Sequence, residues 1–167
     1  MVTRVTHILG TIILKKIVIV LIASFALLIG LWTQQTLKVD FTSLDGQEHR
    51  WSNSQGRWTV VNYFAEWCAP CLREMPELNH FYQQYDHVNI FAISFDPLGN
   101  KQLLGLQQKY DIQFPIIDRL YFMPWERPPN TLPTTYILDA NGKVQKQLKG
   151  EQSAEKIMHT INMLKGL

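Results

Sequence analysis

The first apolar feature of the chain is a block. Residues 17–32 read IVIVLIASFALLIGLW, with no charge and only Ser24 and Gly30 interrupting the hydrophobicity. Residues 8–14 are also mostly apolar, but Lys15 and Lys16 separate the two runs. The longer run, as a helix, spans roughly 24 Å, slightly short of a hydrocarbon core of about 30 Å. The uncharged Thr33, Gln34 and Gln35 could extend it, and Trp32 suits a membrane interface. The run is read as an uncleaved anchor, with its basic N-terminal flank in the cytoplasm and the rest of the chain outside it. A cleaved signal peptide would also fit the flank and the length. However, no small-x-small site follows the run, and its nearest small residues, Ala23 to Ala26, lie inside it. A buried core helix fits the all-round hydrophobicity and the terminal position least.

Beyond a short polar linker at 33–36, the apolar pattern alternates between periods of two and of 3.6. Residues 37–41 and 47–51 read as strands joined through Asp45-Gly46, a hairpin-turn dipeptide. Residues 57–64 (RWTVVNYF) read as a buried strand. In residues 70–85, Leu72, Met75, Leu78, Phe81, Tyr82 and Tyr85 recur at helical spacing, and Pro76 predicts a kink. Residues 88–95 (VNIFAISF) predict another buried strand, 101–110 a helix, 114–118 a short strand and 134–138 a strand. Asn141-Gly142 turns the chain into a strand at 144–148. Residues 153–164 form an amphipathic helix with Ser153 as N-cap. This order implies an α/β sandwich with a mixed sheet. Residues 119–130 (RLYFMPWERPPN) break the pattern and read as a structured loop. The expected domains are an anchor and linker at 1–35 and one globular domain at 36–167.

Charge narrows the partners. The 167 residues carry a formal net charge of +2. Three of the 16 basic residues, Arg4, Lys15 and Lys16, flank the apolar block, which leaves 13 against 14 acidic residues elsewhere. With no basic run and no basic stripe with interleaved aromatics, nucleic-acid binding is not expected.

Only two cysteines occur, Cys68 and Cys71. A bridge closing so short a loop removes little chain entropy, so stability does not explain the pair. It lies in Ala65-Glu66-Trp67-Cys68-Ala69-Pro70-Cys71, between a buried strand and a helix. A helix N-terminus presents unpaired N–H groups and the positive end of the macrodipole, which favours a thiolate. Cys68 should be exposed there and Cys71, a turn in, partly covered. Pro70 suits the first turn because no donor is needed. The chemistry expected is attack by Cys68 through a mixed disulfide that Cys71 resolves. A zinc site would need about four ligands, and there is no second CxxC and no His pair at ligand spacing. His80 and His87 read as solvent-facing or helix-end residues. A c-type haem site would need His where Leu72 stands.

Val60 to Asn79 (VVNYFAEWCAPCLREMPELN) resembles the active-site segment of the TlpA/ResA/DsbE-like branch of the thioredoxin superfamily. The segment Leu132-Pro133-Thr134-Thr135-Tyr136-Ile137-Leu138-Asp139, followed by Asn141-Gly142-Lys143-Val144, resembles that branch's proline-containing strand and hairpin. The resemblance covers roughly residues 37–165. It implies a thioredoxin-like sandwich with a central mixed sheet, an N-terminal β-hairpin and an αβ insertion before the cis-Pro strand. The 62 positions from Cys71 to Pro133 accommodate that insertion at 101–118.

The resemblance also implies site residues. Pro133 would be cis and packed against the disulfide, leaving Leu132 N–H and C=O to pair with an extended substrate. Glu74 would lie under the active site and take the Cys71 proton. Asn62, at the position of a buried aspartate in cytoplasmic thioredoxins, leaves that task to Glu74. Trp67 would shield the disulfide and contact partners. Tyr121, Phe122, Met123, Pro124 and Trp125 would be either a recognition surface or cover for the insertion.

The activity implied is thiol–disulfide exchange on protein substrates outside the cytoplasm, as a reductase fed by a membrane-embedded thiol donor. It would act from the bacterial inner membrane with its domain in the periplasm, and thiols of cytochrome c apoproteins are among the targets implied. No cofactor and no metal are implied. A disulfide oxidase or isomerase, and a copper chaperone on the same scaffold, are the alternatives.

Overall fold

The computed structural model describes residues 15–30, 38–52 and 56–167. Arg4, residues 8–14, Leu31 and Trp32, the linker at 33–36 and Leu37, used in the anchor, linker and first-strand expectations, lie outside the described residues. The chain divides into two compact units, Met1–Lys38 and Val39–Leu167. In the first, residues 15–30 form a helix, α1, with its side chains exposed. Among the described residues no helix is long and apolar enough to cross a membrane. Of the apolar run at 17–32 expected to span, residues 17–30 are described, within α1.

The second unit is built on a four-stranded sheet. Its strands are β3 (Trp58–Phe64), β4 (Val88–Ser94), β6 (Thr134–Leu138) and β7 (Val144–Lys149), in the order β4-β3-β6-β7. β3 and β4 run parallel, while the β3–β6 and β6–β7 pairs are antiparallel, so the sheet is mixed. The parallel crossover is made by α2 (Ala69–Gln84). The inserted helix α3 (Asn100–Lys109) follows β4, and α4 (Ala154–Lys165) closes the chain. Ser153 caps α4 by accepting from Lys156 N–H at 3.3 Å. Pro76 lies within α2 without ending it.

Both faces of the sheet are covered, and strand alternation decides what each face holds. Val60 and Phe64 of β3 join Met75, Leu78 and Phe81 of α2, Leu103 and Leu106 of α3, and Ile157 and Ile161 of α4. Val61 and Tyr63, pointing the other way, join Phe41, Trp51, Phe91, Ile117, Trp125 and Tyr136. Each large side chain fully removed from water contributes roughly 1.5–3 kcal/mol.

The aromatic face is roofed by a second, three-stranded sheet in which Phe41–Ser43 (β1) lies between Glu48–His49 (β2) and Ile117–Leu120 (β5). Here the structure departs from expectation. β1 is only Phe41–Ser43 and β2 only Glu48–His49. The turn between them is wide, closed by Ser43 N–H to Gln47 O at 3.0 Å and by a side-chain contact from Ser43 Oγ to His49 Nε2 at 2.8 Å. β5 is Ile117–Leu120, not residues 114–118. Ile116 makes a single parallel bridge to Ala92, and the chain then leaves the large sheet to pair antiparallel with β1. The Asn141-Gly142 turn is tied to this layer by the Ser52–Asn141 bridge. Gly142 has φ +77°, and a Cβ there would lie 2.7 Å from Trp51 Cβ. Only glycine fits.

Candidate active site

β3 delivers the chain to the motif. Cys68 is the N-cap of α2, with Pro70 in the first turn. Cys68 and Cys71 form a disulfide with Cα atoms 5.3 Å apart. Cys71 N–H points at Cys68 Sγ at 3.3 Å, so the helix N-terminus is aimed at that sulfur. The expectation that Cys68 is exposed needs correction: it is 5% exposed, and Cys71 is 0%. Cys68 lies in the floor of a groove of about 440 Å³ lined by Trp67, Pro70, Phe95, Asn130, Thr131 and Leu132. Covalent pairing with Cys71 and these walls remove most of its surface. Cys68 still lines the groove and Cys71 does not, so the order of accessibility is as expected.

Trp67 stands at the rim, 66% exposed. Its Nε1–H donates to Asp96 Oδ2 at 2.9 Å, and its ring meets Phe95 edge-on at 6.2 Å. Leu132–Pro133 is a cis peptide, and Leu132 lies in the groove wall. Glu66, just before the motif, binds Lys109 Nζ at 2.8 Å and Tyr110 OH at 3.2 Å, which ties the loop to the end of α3. The hydrogen bond to Lys109 holds its carboxyl below the usual glutamate range.

Glu74 follows Cys71 by one turn on the buried face of α2. It is 2% exposed, while Arg73 pairs with Glu151. Glu74 Oε1 accepts from Asn62 Nδ2 at 2.7 Å, and Oε2 accepts from the backbone N–H of Gln152 at 3.0 Å. Asn62 Nδ2 also donates to Thr135 Oγ1 at 3.1 Å, directly across the β3–β6 pair. Burial pushes the Glu74 carboxyl up to about 7, against the two hydrogen bonds that favour its anion. The carboxyl therefore changes charge near neutral pH. The Asn62 amide suits both forms. Turned over, its oxygen would accept from neutral Glu74 and from Thr135.

Residues that sequence reasoning did not single out complete the site: Phe95 and Asp96 after β4, Asn130 and Thr131 before Leu132, and Gln152 behind Glu74. None carries a local motif, because each reaches the site through the strand order. Tyr121 and Phe122 are exposed, whereas Trp125 is buried on the opposite face, stacked on Tyr136 at 4.7 Å. The loop therefore divides between surface and core. His80 and His87 are exposed.

Comparison with known proteins agrees with this geometry. The AhpC/TSA family model matches residues 33–147. A protein named thiol-disulfide oxidoreductase ResA, from Geobacillus thermodenitrificans, is 34% identical over 128 residues, covering 74% of this chain and 72% of that one. The crystal structure of StoA from Bacillus subtilis superposes with a TM-score of 0.57 at 22% identity, covering 71% of this chain and 92% of that one. A thiol:disulfide interchange protein from Chlorobium tepidum gives 0.60 at 20% identity, covering 74% and 90%.

Proposed function

Because the chain belongs to the AhpC/TSA family and is a thiol–disulfide oxidoreductase of the ResA type, we propose that it is an extracytoplasmic reductase of protein disulfides, held at the membrane by its apolar N-terminal segment. The observation that carries the reading is the placement of the pair. Cys68 faces a groove, Cys71 is buried behind it, and a carboxyl that titrates near neutral pH lies one turn further on.

In the reduced protein, Cys68 thiolate attacks one sulfur of a partner disulfide. A mixed disulfide forms and the partner's other sulfur leaves as a thiolate. Glu74, ionised, takes the proton of Cys71. Cys71 thiolate then attacks Cys68 Sγ, releasing the second partner thiolate and forming the Cys68–Cys71 disulfide. Two electrons have passed to the partner, and a membrane-embedded dithiol donor returns two electrons to the pair. Leu132, in the groove wall, offers its backbone to an extended substrate, with Pro133 fixing the start of β6. Trp67 offers an aromatic contact at the rim. Cytochrome c apoproteins, whose thiols the exchange would restore from a disulfide, are the substrates this reading favours.

Attachment rests on the apolar helix and on its basic flank of Lys15 and Lys16, with Arg4 before them. Trapping thiols in intact cells with a membrane-impermeant maleimide tests location and direction together. Labelling of Cys68, the cysteine that lines the groove, without added reductant supports an extracytoplasmic reductase. A pair that stays oxidised in growing cells points to an oxidase, and a reduced pair whose Cys68 the reagent cannot reach contradicts the location.

A further inference from the structure

The turn between β7 and α4 touches both halves of the site. Gly150 N–H donates to Pro133 O at 2.9 Å, and Gln152 N–H donates to Glu74 Oε2 at 3.0 Å. Between these two residues, Glu151 reaches out of the turn to α2. Its carboxylate takes Arg73 Nη2 at 2.5 Å and Nε at 3.4 Å, a two-pronged pair. Arg73 is the neighbour of Glu74, so one turn of α2 holds two consecutive residues of the loop. We propose that Arg73 and Glu151 are positioning residues of the redox site: their ion pair holds the 150–152 turn so that Gln152 N–H stays on Glu74 and Gly150 N–H on the Pro133 carbonyl.

The pair is largely exposed, with side chains 61% and 44% accessible. Its own contribution to stability is therefore small. Its effect lies in what it holds still. Glu74 is screened from water, so losing one donor to its anion is not made good by solvent. The charged and titratable groups around Glu74 are few. α2 brings Arg73, Glu77 and the Cys68–Cys71 pair. The turn brings Glu151. The strands bring the neutral Asn62 and Thr135, β7 ends at Lys149 beside the turn, and α4 has Glu155 and Lys156 in its first turn after it. Glu77 is already engaged, accepting from Ala154 N–H at 3.2 Å.

Positioning can be separated from simple charge. If Arg73 and Glu151 acted on Glu74 only through their fields, Arg73→Ala and Glu151→Ala would shift its titration in opposite directions. Loss of the cation would raise the midpoint and loss of the anion would lower it. If the pair acts through the turn, both raise it, because both release Gln152 N–H.

The inference rests on Glu74 being the proton acceptor, and the test keeps the two claims apart. Carbon-13 NMR of the full-length chain in detergent, labelled at glutamate carboxyls and kept oxidised, reads the Glu74 midpoint without any substrate. Glu74→Gln assigns the signal. Both alanine variants are expected to raise the midpoint by about half a pH unit or more. The exchanged pair, Arg73→Glu with Glu151→Arg, is expected to restore it. A lowered midpoint in Glu151→Ala, or no shift in either single variant, overturns the positioning role. Full insulin reduction by Glu74→Gln would instead remove the proton-acceptor role and leave the clamp standing.

Discussion

The two faces of the four-stranded sheet are fed by the same strands and do different work. On the helix face, β3 and β6 contribute Asn62 and Thr135 to a polar group around Glu74, closed in by α2 and the 150–152 turn. On the opposite face, the adjacent residues Tyr63 and Tyr136 enter a cluster of rings. Trp125 stacks on Tyr136 at 4.7 Å, meets Tyr63 edge-on at 5.9 Å and donates to Tyr63 OH at 3.2 Å. Burial acts on titratable groups on both faces. It raises Glu74 to about 7, into the range where proton transfer is useful, and Tyr63 to about 12, where the phenol stays neutral. The difference lies in the residue type: a carboxyl moved toward neutrality becomes a reagent, while a phenol moved away from it becomes ring packing with one polar handle.

The comparison can be broken most sharply at the disulfide. Cys68→Ser is expected to abolish insulin reduction, by at least about 10³-fold, because the attacking thiolate is gone. Cys71→Ser is expected to accumulate the mixed disulfide, visible on a non-reducing gel. The opposite face should respond in stability alone. Trp125→Ala is expected to cost about 3–5 kcal/mol in denaturant unfolding, with the reduction potential of the folded protein unchanged. A change in potential would show that the faces are not separable.

Glu74→Gln is expected to slow insulin reduction about 10²-fold near neutral pH and to remove a pH dependence of stability. The sign follows from the raised value. The unfolded carboxyl titrates near 4.5 and the folded one near 7. The stabilisation is therefore fully present below pH about 4.5 and lost as pH rises through 7. The shift sets a ceiling of about 3 kcal/mol. Urea unfolding at pH 5 and pH 8 should show the wild type losing stability relative to Glu74→Gln. His49, which burial pushes down, is common to both proteins and cancels. The smallest effect is expected at the rim. Trp67→Ala should raise KM for a protein substrate by about tenfold or less, with turnover at saturation little changed.

What could be read from the sequence follows from how local the determinants are. The buried strands β3 and β6 and the helices α2 and α4 carry their own periodicity or caps, and the structure places them within a residue or two of expectation. The short strands of the second sheet do not. β1 and β5 depend on each other, and residues 114–118 are apolar enough to suggest a strand that Ile116 begins only as a single bridge. The Cys68–Cys71 motif was readable because strand, turn and helix are contiguous around it. No local pattern shows the burial of Glu74, which only the resemblance implies, because its partners Asn62 and Gln152 lie 12 and 78 positions away. Trp125 and Tyr121 sit four residues apart in one proline-rich loop, and no local rule distinguishes the buried ring from the exposed one.

The most direct test of a reductase built on this pair is its reduction potential, measured by equilibrating the full-length chain with defined thiol buffers and quantifying the Cys68–Cys71 disulfide. A value of about −250 mV or lower is predicted, in the range of dithiols that reduce their partners. A value near about −120 mV would contradict the account, because a pair so oxidising would take electrons from its partners rather than supply them.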